Sequence, residues 1–318
     1  MTPDRISLGT WPTPVEPAPR LAERLGLRPG DLWIKRDDLS GLGGGGNKVR
    51  KLEYLCARAL ADGATTLVTS GGPQSNHSRL TAAAAARLGL DAVLVLAADG
   101  PGAGGGNLAL DALLGASIVW AGPVDDAGLE DAVERTAAAL RDQGRRVAVL
   151  PLGGSDAVGA RGYVDCAAEL SQQVPDMAHA VVAVGSGGTM AGLVAALGPG
   201  RVLGVDVGAT SDPERRVLGI AGALRRDAAP GGLRLRGDQV GSGYGLLTPA
   251  ARAALRDAAR FEGIVLDPVY TAKALAGLAA AVQDGDVRPG ERTVFVHTGG
   301  LPGLFGHSVA AELRPDAG

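Results

Sequence analysis

A glycine run, Gly41-Leu42-Gly43-Gly44-Gly45-Gly46, ends in Asn47-Lys48 and opens straight into the helical pattern Val49-Arg50-Lys51-Leu52-Glu53-Tyr54-Leu55. Glycine lacks a Cβ, so this backbone turns sharply and lets a bulky group come close. At the start of a helix, Lys48 meets the positive end of the dipole, which disfavours a protonated amine and lowers its pKa. An amine that is neutral part of the time attacks aldehydes. The chain holds only four lysines, Lys35, Lys48, Lys51 and Lys273, so few groups compete for a Schiff-base role. The opposing reading is a flexible loop carrying a solvated lysine.

Three further turns gather polar groups after apolar runs. Thr65 to Ser70 reads as a buried strand, followed by Gly71-Gly72-Pro73-Gln74-Ser75-Asn76-His77-Ser78-Arg79 and an alanine-rich helix from Leu80 to Leu88. Ala180 to Val184 runs into Gly185-Ser186-Gly187-Gly188-Thr189 and a helix from Met190 to Leu197. There, backbone N–H groups and two hydroxyls converge on a helix N-terminus, an anion site suited to phosphate. Thr293 to Val296 leads into His297-Thr298-Gly299-Gly300. Two of the four tyrosines, Tyr244 and Tyr270, lie on turns, in Gly241-Ser242-Gly243-Tyr244-Gly245 and Asp267-Pro268-Val269-Tyr270-Thr271. Each ring could equally cover the edge of a core.

A dinucleotide site competes for the second turn, because Gly185 and Gly187 follow a strand and Asp206 ends the next one. Met190 stands where that pattern wants a small residue, which weakens the match. An NAD-dependent oxidoreductase is therefore the rival class, and a noncatalytic binding protein is disfavoured because Lys48 and the turns are all present. No HExxH or clustered His, Cys and Asp spacing signals a metal. His179 and His307 have no polar company in sequence, while His77 and His297 sit on the turns.

The elements that must position these residues alternate. Short β-rich runs and amphipathic helices follow one another through Ala92–Ala97, Asn107–Leu114, Ser117–Trp120, Leu129–Arg141, Arg146–Leu150 and Val202–Asp206. This predicts α/β architecture, parallel-rich sheets with helices on both faces. The glycine-rich loop Asp99–Gly106 is expected to be exposed and mobile. The length of 318 suggests two domains, and 46% hydrophobic residues suffice for real cores. A net charge of −3 with no basic run argues against nucleic acid and membrane surfaces, leaving a small ligand. No signal-peptide pattern or apolar run of spanning length is present, so a soluble cytoplasmic protein is expected. Cys56 and Cys166 read as core thiols, Lys35 as a partner for a neighbouring carboxylate among Asp31, Asp37 and Asp38, and Arg50, Lys51 and Arg79 as salt-bridge formers.

Taken together, Lys35-Arg36-Asp37-Asp38, Gly45-Gly46-Asn47-Lys48-Val49-Arg50-Lys51-Leu52-Glu53, Gln74-Ser75-Asn76-His77-Ser78-Arg79, Gly106-Asn107-Leu108, the Gly185–Thr189 loop, Asp267-Pro268-Val269-Tyr270 and His297-Thr298-Gly299-Gly300 resemble the pyridoxal-phosphate enzymes of fold type II. Within that tryptophan-synthase-β-like group, the resemblance is to the D-cysteine desulfhydrase and 1-aminocyclopropane-1-carboxylate deaminase family, over nearly the full chain. It implies a large domain of residues 1–60 and 159–318, a small inserted domain of 61–158, and a homodimer. It further implies that Lys48 holds pyridoxal 5'-phosphate covalently and moves protons. Gly185, Ser186, Gly187, Gly188 and Thr189 would hold the phosphate and Asn76 the phenolic oxygen. Ser75, Asn76 and His77 would bind the substrate carboxylate, and Tyr244 and Tyr270 would face the substrate.

In the deaminase, a glutamate follows the tyrosine of Asp-Pro-Val-Tyr and a leucine follows the histidine before the final glycines. Here Thr271 and Thr298 stand instead, and the pattern resembles the desulfhydrase. A hydroxyl beside the pyridine nitrogen gives a weaker electron sink than a carboxylate, enough to expel hydrosulfide from an α-H amino acid. The resemblance thus implies α,β-elimination on D-cysteine, with L-cysteate sulfo-lyase or aminocyclopropane-carboxylate deaminase as alternatives.

Overall fold

A computed structural model describes residues 4–102, 104–225 and 232–313. The chain begins with β1 (Val15–Pro17) and β2 (Leu32–Arg36), then builds β3 (Thr66–Gly71), β4 (Asp91–Leu96), β5 (Ser117–Trp120) and β6 (Val147–Val149). It returns through β7 (His179–Val184), β8 (Val202–Asp206), β9 (Arg234–Arg236) and β10 (Thr293–His297). Two sheets result, one ordered β1-β2-β10-β7-β8-β9 and a smaller one ordered β5-β4-β3-β6. Every pairing is parallel except that of β1 with β2. All strands of the smaller sheet fall within residues 61–158.

Side-chain alternation gives each sheet two buried faces. In β7, Ala180, Val182 and Val184 join the helices Ala157–Gln173 and Gly188–Leu197 in one core. Val181 and Ala183 join the opposite core with the helices Pro249–Glu262 and Thr271–Gln283. The small sheet repeats this, with Leu67, Leu94 and Leu96 on one face and Val68, Val93 and Val95 on the other. Helices on both faces are what an all-parallel, doubly covered sheet requires.

The helix Lys48–Ala61 sits at the seam. Its Val49, Leu52, Leu55 and Cys56 pack into the small sheet's core. Its charged residues are buried as well. Asp37 receives Arg50 Nε and Nη2, both at 2.9 Å, and Glu169 receives Arg50 Nη1 at 2.8 Å. Glu53 accepts the backbone N–H of Leu8 and Gly9 and the Trp11 indole N–H. Arg50 and Glu53 thus fix this helix to the large sheet's side and to the N-terminal segment.

The structure departs from several sequence expectations. Helices begin earlier than apolar periodicity implies, because polar caps extend them. Ser75 caps Asn76–Leu88 and Asp125 caps Asp126–Asp142. Lys51 forms no salt bridge among the described residues; its amine meets neutral oxygens instead. Arg79 likewise binds carbonyls and amides rather than pairing with a carboxylate, donating to Gly43 O at 2.6 Å and Gly45 O at 2.9 Å. His179 has polar company in Glu291 and Arg234, and His307 in the Gly245 carbonyl. Ala103 of the Asp99–Gly106 loop lies outside the described residues, and the loop's end is tied down where Gln74 donates to Gly105 O at 2.9 Å. Lys35 pairs not with the neighbouring Asp31, Asp37 or Asp38 but with Glu169, far along the chain, at 2.6 Å, and both cysteines are free and buried.

Candidate active site

The Lys48 amine points into the seam between the sheets. Its Nζ donates to Gly153 O at 2.9 Å, and burial lowers its pKa to about 8. The sequence pointed to the helix dipole as the cause of such a shift; the lowering here comes from burial. One helical turn on, Lys51 Nζ reaches Ser155 Oγ at 2.9 Å and the same Gly153 carbonyl at 3.3 Å. Burial and the neighbouring Lys48 hold Lys51 well below an ordinary lysine.

The turn Leu152-Gly153-Gly154-Ser155 therefore belongs to the site, although it was not singled out from sequence. It follows β6 with the same strand-then-glycines signature as the other turns. Gly153 has φ +64°, and a Cβ there would lie 2.2 Å from Ser186 Oγ and 3.3 Å from Lys48 Nζ. Ser155 Oγ is 2.7 Å from Ser186 Oγ and accepts Gly188 N–H at 3.3 Å. The helix Gly188–Leu197 starts two residues before expectation, so Gly188 and Thr189 form its first turn. Asn47, adjacent to Lys48, donates to Thr189 Oγ1 at 3.0 Å. Amine, hydroxyls and helix N-terminus thus meet at one place.

Tyr270 closes one side, its ring 3.0 Å from where a Gly185 Cβ would be. Tyr244 lies edge-on to it, ring centroids 6.2 Å apart, with the two hydroxyls hydrogen-bonded. Thr271 is buried and its hydroxyl is engaged: it donates to Asp267 Oδ1 at 2.7 Å and accepts from Asp267 N at 2.8 Å. Asp267 also takes the N–H groups of Val269, Tyr270 and Thr271, which caps the following helix. Thr271 therefore acts within this cap. Thr298 abuts the glycine run, its carbonyl accepting Asn47 N–H at 2.9 Å.

On the small-sheet side, Ser75 Oγ caps its helix by accepting Ser78 N–H at 3.1 Å. Asn76 Oδ1 accepts from Asn107 Nδ2 at 3.0 Å and Arg79 Nη2 at 3.3 Å. Arg79 thereby joins the Ser75–His77 turn to the glycine run. His77 is 2% exposed, and among the described residues its ring nitrogens have no hydrogen-bond partner. Burial and the nearby lysines keep that imidazole neutral. Every turn expected from sequence reaches this seam, while His297 is turned to the Val265 carbonyl.

A family model described as pyridoxal-phosphate dependent enzyme matches residues 6–299. The chain belongs to the pyridoxal-phosphate-dependent enzymes. It is 40% identical to a D-cysteine desulfhydrase of Klebsiella pneumoniae, covering 95% of this chain and 96% of that one. It is 39% identical to a putative 1-aminocyclopropane-1-carboxylate deaminase of Thermotoga maritima, over 96% and 98% of the two chains. A crystal structure of an ACC deaminase homologue superimposes with a TM-score of 0.88 at 36% identity, over 97% and 95% of the chains. The processed form of threonine deaminase isoform 2 from Solanum lycopersicum, at 20% identity and TM-score 0.65 over 91% and 79% of the chains, shares the fold. The fold is that of the type II pyridoxal-phosphate enzymes, and the oxidoreductase reading is set aside.

The residues present fit this cofactor. The Ser186, Gly188 and Thr189 cradle offers hydroxyls and helix N-terminal N–H groups for a phosphate, backed by the Lys51 amine. Gly153 and Gly185 stay free of Cβ atoms where Ser186 and Tyr270 crowd in. Lys48 supplies the desolvated amine that an aldehyde requires. Among the described residues there is no helix long and apolar enough to cross a membrane and no metal-binding cluster.

Proposed function

We propose that this enzyme carries out α,β-elimination on a small β-substituted amino acid, converting D-cysteine and one water to pyruvate, hydrogen sulfide and ammonia. The observation that carries the reading is the Lys48 amine, desolvated to a pKa of about 8 and held 2.9 Å from Gly153 O beside the Ser186 cradle. Bound pyridoxal phosphate supplies the electron sink that acidifies the substrate's α-C–H. Burial favours the neutral form of this amine. Lys48 in that form takes the α-proton, and hydrosulfide leaves from the β-carbon.

The other residues orient the substrate. Ser75 Oγ already accepts Ser78 N–H, so its own O–H is free to donate to a carboxylate. The N–H groups of Asn76 and His77 open a 13-residue helix whose dipole favours the same anion. Asn76 Oδ1 is held by Asn107 and Arg79, leaving its Nδ2 to donate to the cofactor's phenolic oxygen. Thr298 is the hydroxyl assigned to the ring nitrogen, because that of Thr271 is engaged by Asp267. Tyr244 and Tyr270 face the substrate. A cytoplasmic homodimer accompanies this reading, with exposed Leu246, Leu301 and Phe305 supplying apolar surface for a second copy.

The 39% identity to a putative aminocyclopropane-carboxylate deaminase supports a second reading, cyclopropane opening in the same site. The test is the absorbance spectrum of the purified protein beside Lys48→Ala, followed by D-cysteine, L-cysteine, L-cysteate and aminocyclopropane carboxylate. A band near the visible edge that needs Lys48, with sulfide and pyruvate from D-cysteine, supports the reading. Release of 2-oxobutyrate and ammonia from the cyclopropane alone selects the second. No pyruvate from any β-substituted alanine of either hand refutes elimination.

A further inference from the structure

Lys273 lies three residues beyond Tyr270, on the helix Thr271–Gln283, and is fully buried. Among the described residues no carboxylate binds its ammonium. Its Nζ instead donates to three backbone carbonyls, Val240 O at 2.9 Å, Gly243 O at 3.2 Å and Val207 O at 3.3 Å. Three acceptors match the three N–H groups of a protonated amine, whereas a neutral amine offers two. Two of these carbonyls lie in the segment that presents Tyr244, and the third follows β8.

We propose that Lys273 is a positioning residue: its ammonium is a built-in monovalent cation that holds the Tyr244 segment against Tyr270. The inference rests on the reading that these tyrosines face the substrate. Rings of carbonyl oxygens of this kind replace the hydration shell of potassium or ammonium elsewhere in proteins. Here the cation arrives on a side chain that grows from the Tyr270 helix, so the two phenol carriers are tied through one charge. The segment's Tyr244 and Leu246 are about half exposed, and besides Lys273 a side chain holds the segment at Gly245, whose carbonyl meets His307 Nε2 at 2.8 Å. Its packing against the Val207–Gly208 backbone is close, because a Cβ on Gly208 would lie 2.7 Å from Val240 Cγ1 and 3.5 Å from Tyr244 N. Burial lowers the pKa of Lys273, and Asp206, whose Oδ1 accepts Gly208 N–H at 2.8 Å, partly offsets this with its negative charge.

The test compares holoenzymes carrying Lys273→Ala, which opens a space among the carbonyls, and Lys273→Met, which fills it without charge. Activity on D-cysteine is measured in potassium, ammonium or tetramethylammonium chloride at matched ionic strength. The wild type is expected to be indifferent to the salt. Lys273→Ala should lose kcat by on the order of tenfold while keeping its cofactor band, and should regain most of it in potassium or ammonium only. Lys273→Met should be impaired in every salt. Full activity of Lys273→Ala in tetramethylammonium, or a loss that no cation restores, overturns the proposal. So does a wild type that needs potassium, a result readable even where the variants fail to fold. Tyr244→Phe separates the two levels of argument. If it is fully active, the placement of the tyrosines has failed; if it is impaired while Lys273→Ala is not, only the role of Lys273 has.

Discussion

Replacing Gly153 by alanine tests whether the Leu152–Ser155 turn is part of the cofactor cradle. Gly153 adopts φ +64°, a left-handed conformation that costs an L-residue about 1–2 kcal/mol. Its Cβ would also stand 2.2 Å from Ser186 Oγ and 2.8 Å from Ser186 Cβ, so the serine must turn away from Ser155. That breaks the 2.7 Å contact between the two hydroxyls, a loss of about 1 kcal/mol, at the groups assigned to the phosphate. Gly89 is the control. It ends the helix Asn76–Leu88 at φ +68° with nothing within 4 Å of where a Cβ would stand, so Gly89→Ala carries the backbone cost without the clash. Urea unfolding should show Gly89→Ala destabilised by about 1–2 kcal/mol and Gly153→Ala by about 2–3 kcal/mol. Titration of the apo-proteins with pyridoxal phosphate should show at least a roughly tenfold weaker Kd for Gly153→Ala, equivalent to about 1.4 kcal/mol, and no change for Gly89→Ala. Equal cofactor affinity in the two variants would refute the placement of Gly153 in the cradle.

Cofactor uptake should also report the Lys48 environment. Only the neutral amine attacks the aldehyde, so the uptake rate of apo-protein should rise with pH and level off above about 8, not near the ordinary lysine value of 10.5. Stopped-flow absorbance across pH 6–10 would measure it, and a rate still climbing about two units above the pKa would contradict a desolvated amine. Arg50→Met should lower stability at neutral pH by about 3–5 kcal/mol, because it leaves the buried Asp37 without its guanidinium partner. Denaturant unfolding checks this; a change below about 1 kcal/mol would mean that the Tyr163 and Thr13 hydroxyls, which also donate to Asp37, suffice to hold it.

What was legible in the sequence was what neighbouring residues write together. The glycine run before Lys48, the Ser75-Asn76-His77 turn and the Gly185–Thr189 loop each combine backbone freedom with donors inside one segment, and all reach the same seam. Strand and helix alternation likewise pointed to the sheets, because both faces of each sheet are buried and periodicity reports burial. Helix starts were misplaced where Ser75 and Asp125 cap polar first turns, which carry no apolar signal. The partners of long side chains were beyond reach for a different reason. Arg79 binds carbonyls 34 and 36 positions away, Lys51 a serine 104 positions away, and Lys273 carbonyls 30 to 66 positions away. In each case the acceptor is a neutral group and not a carboxylate, so the salt bridges expected of Lys51 and Arg79 do not form.

That bias follows from the site itself. A carboxylate bonded to Lys51 would compete with an anionic cofactor for the same positive charge. Neutral oxygens hold the amine in place and leave its field unneutralised. Arg50 illustrates the contrast, since it faces away from the seam and is paired with Asp37 and Glu169. Lys51 and Arg79, which meet carbonyls, amides and a hydroxyl, lie on the working side of this fold, and Arg50, which meets carboxylates, belongs to its scaffold.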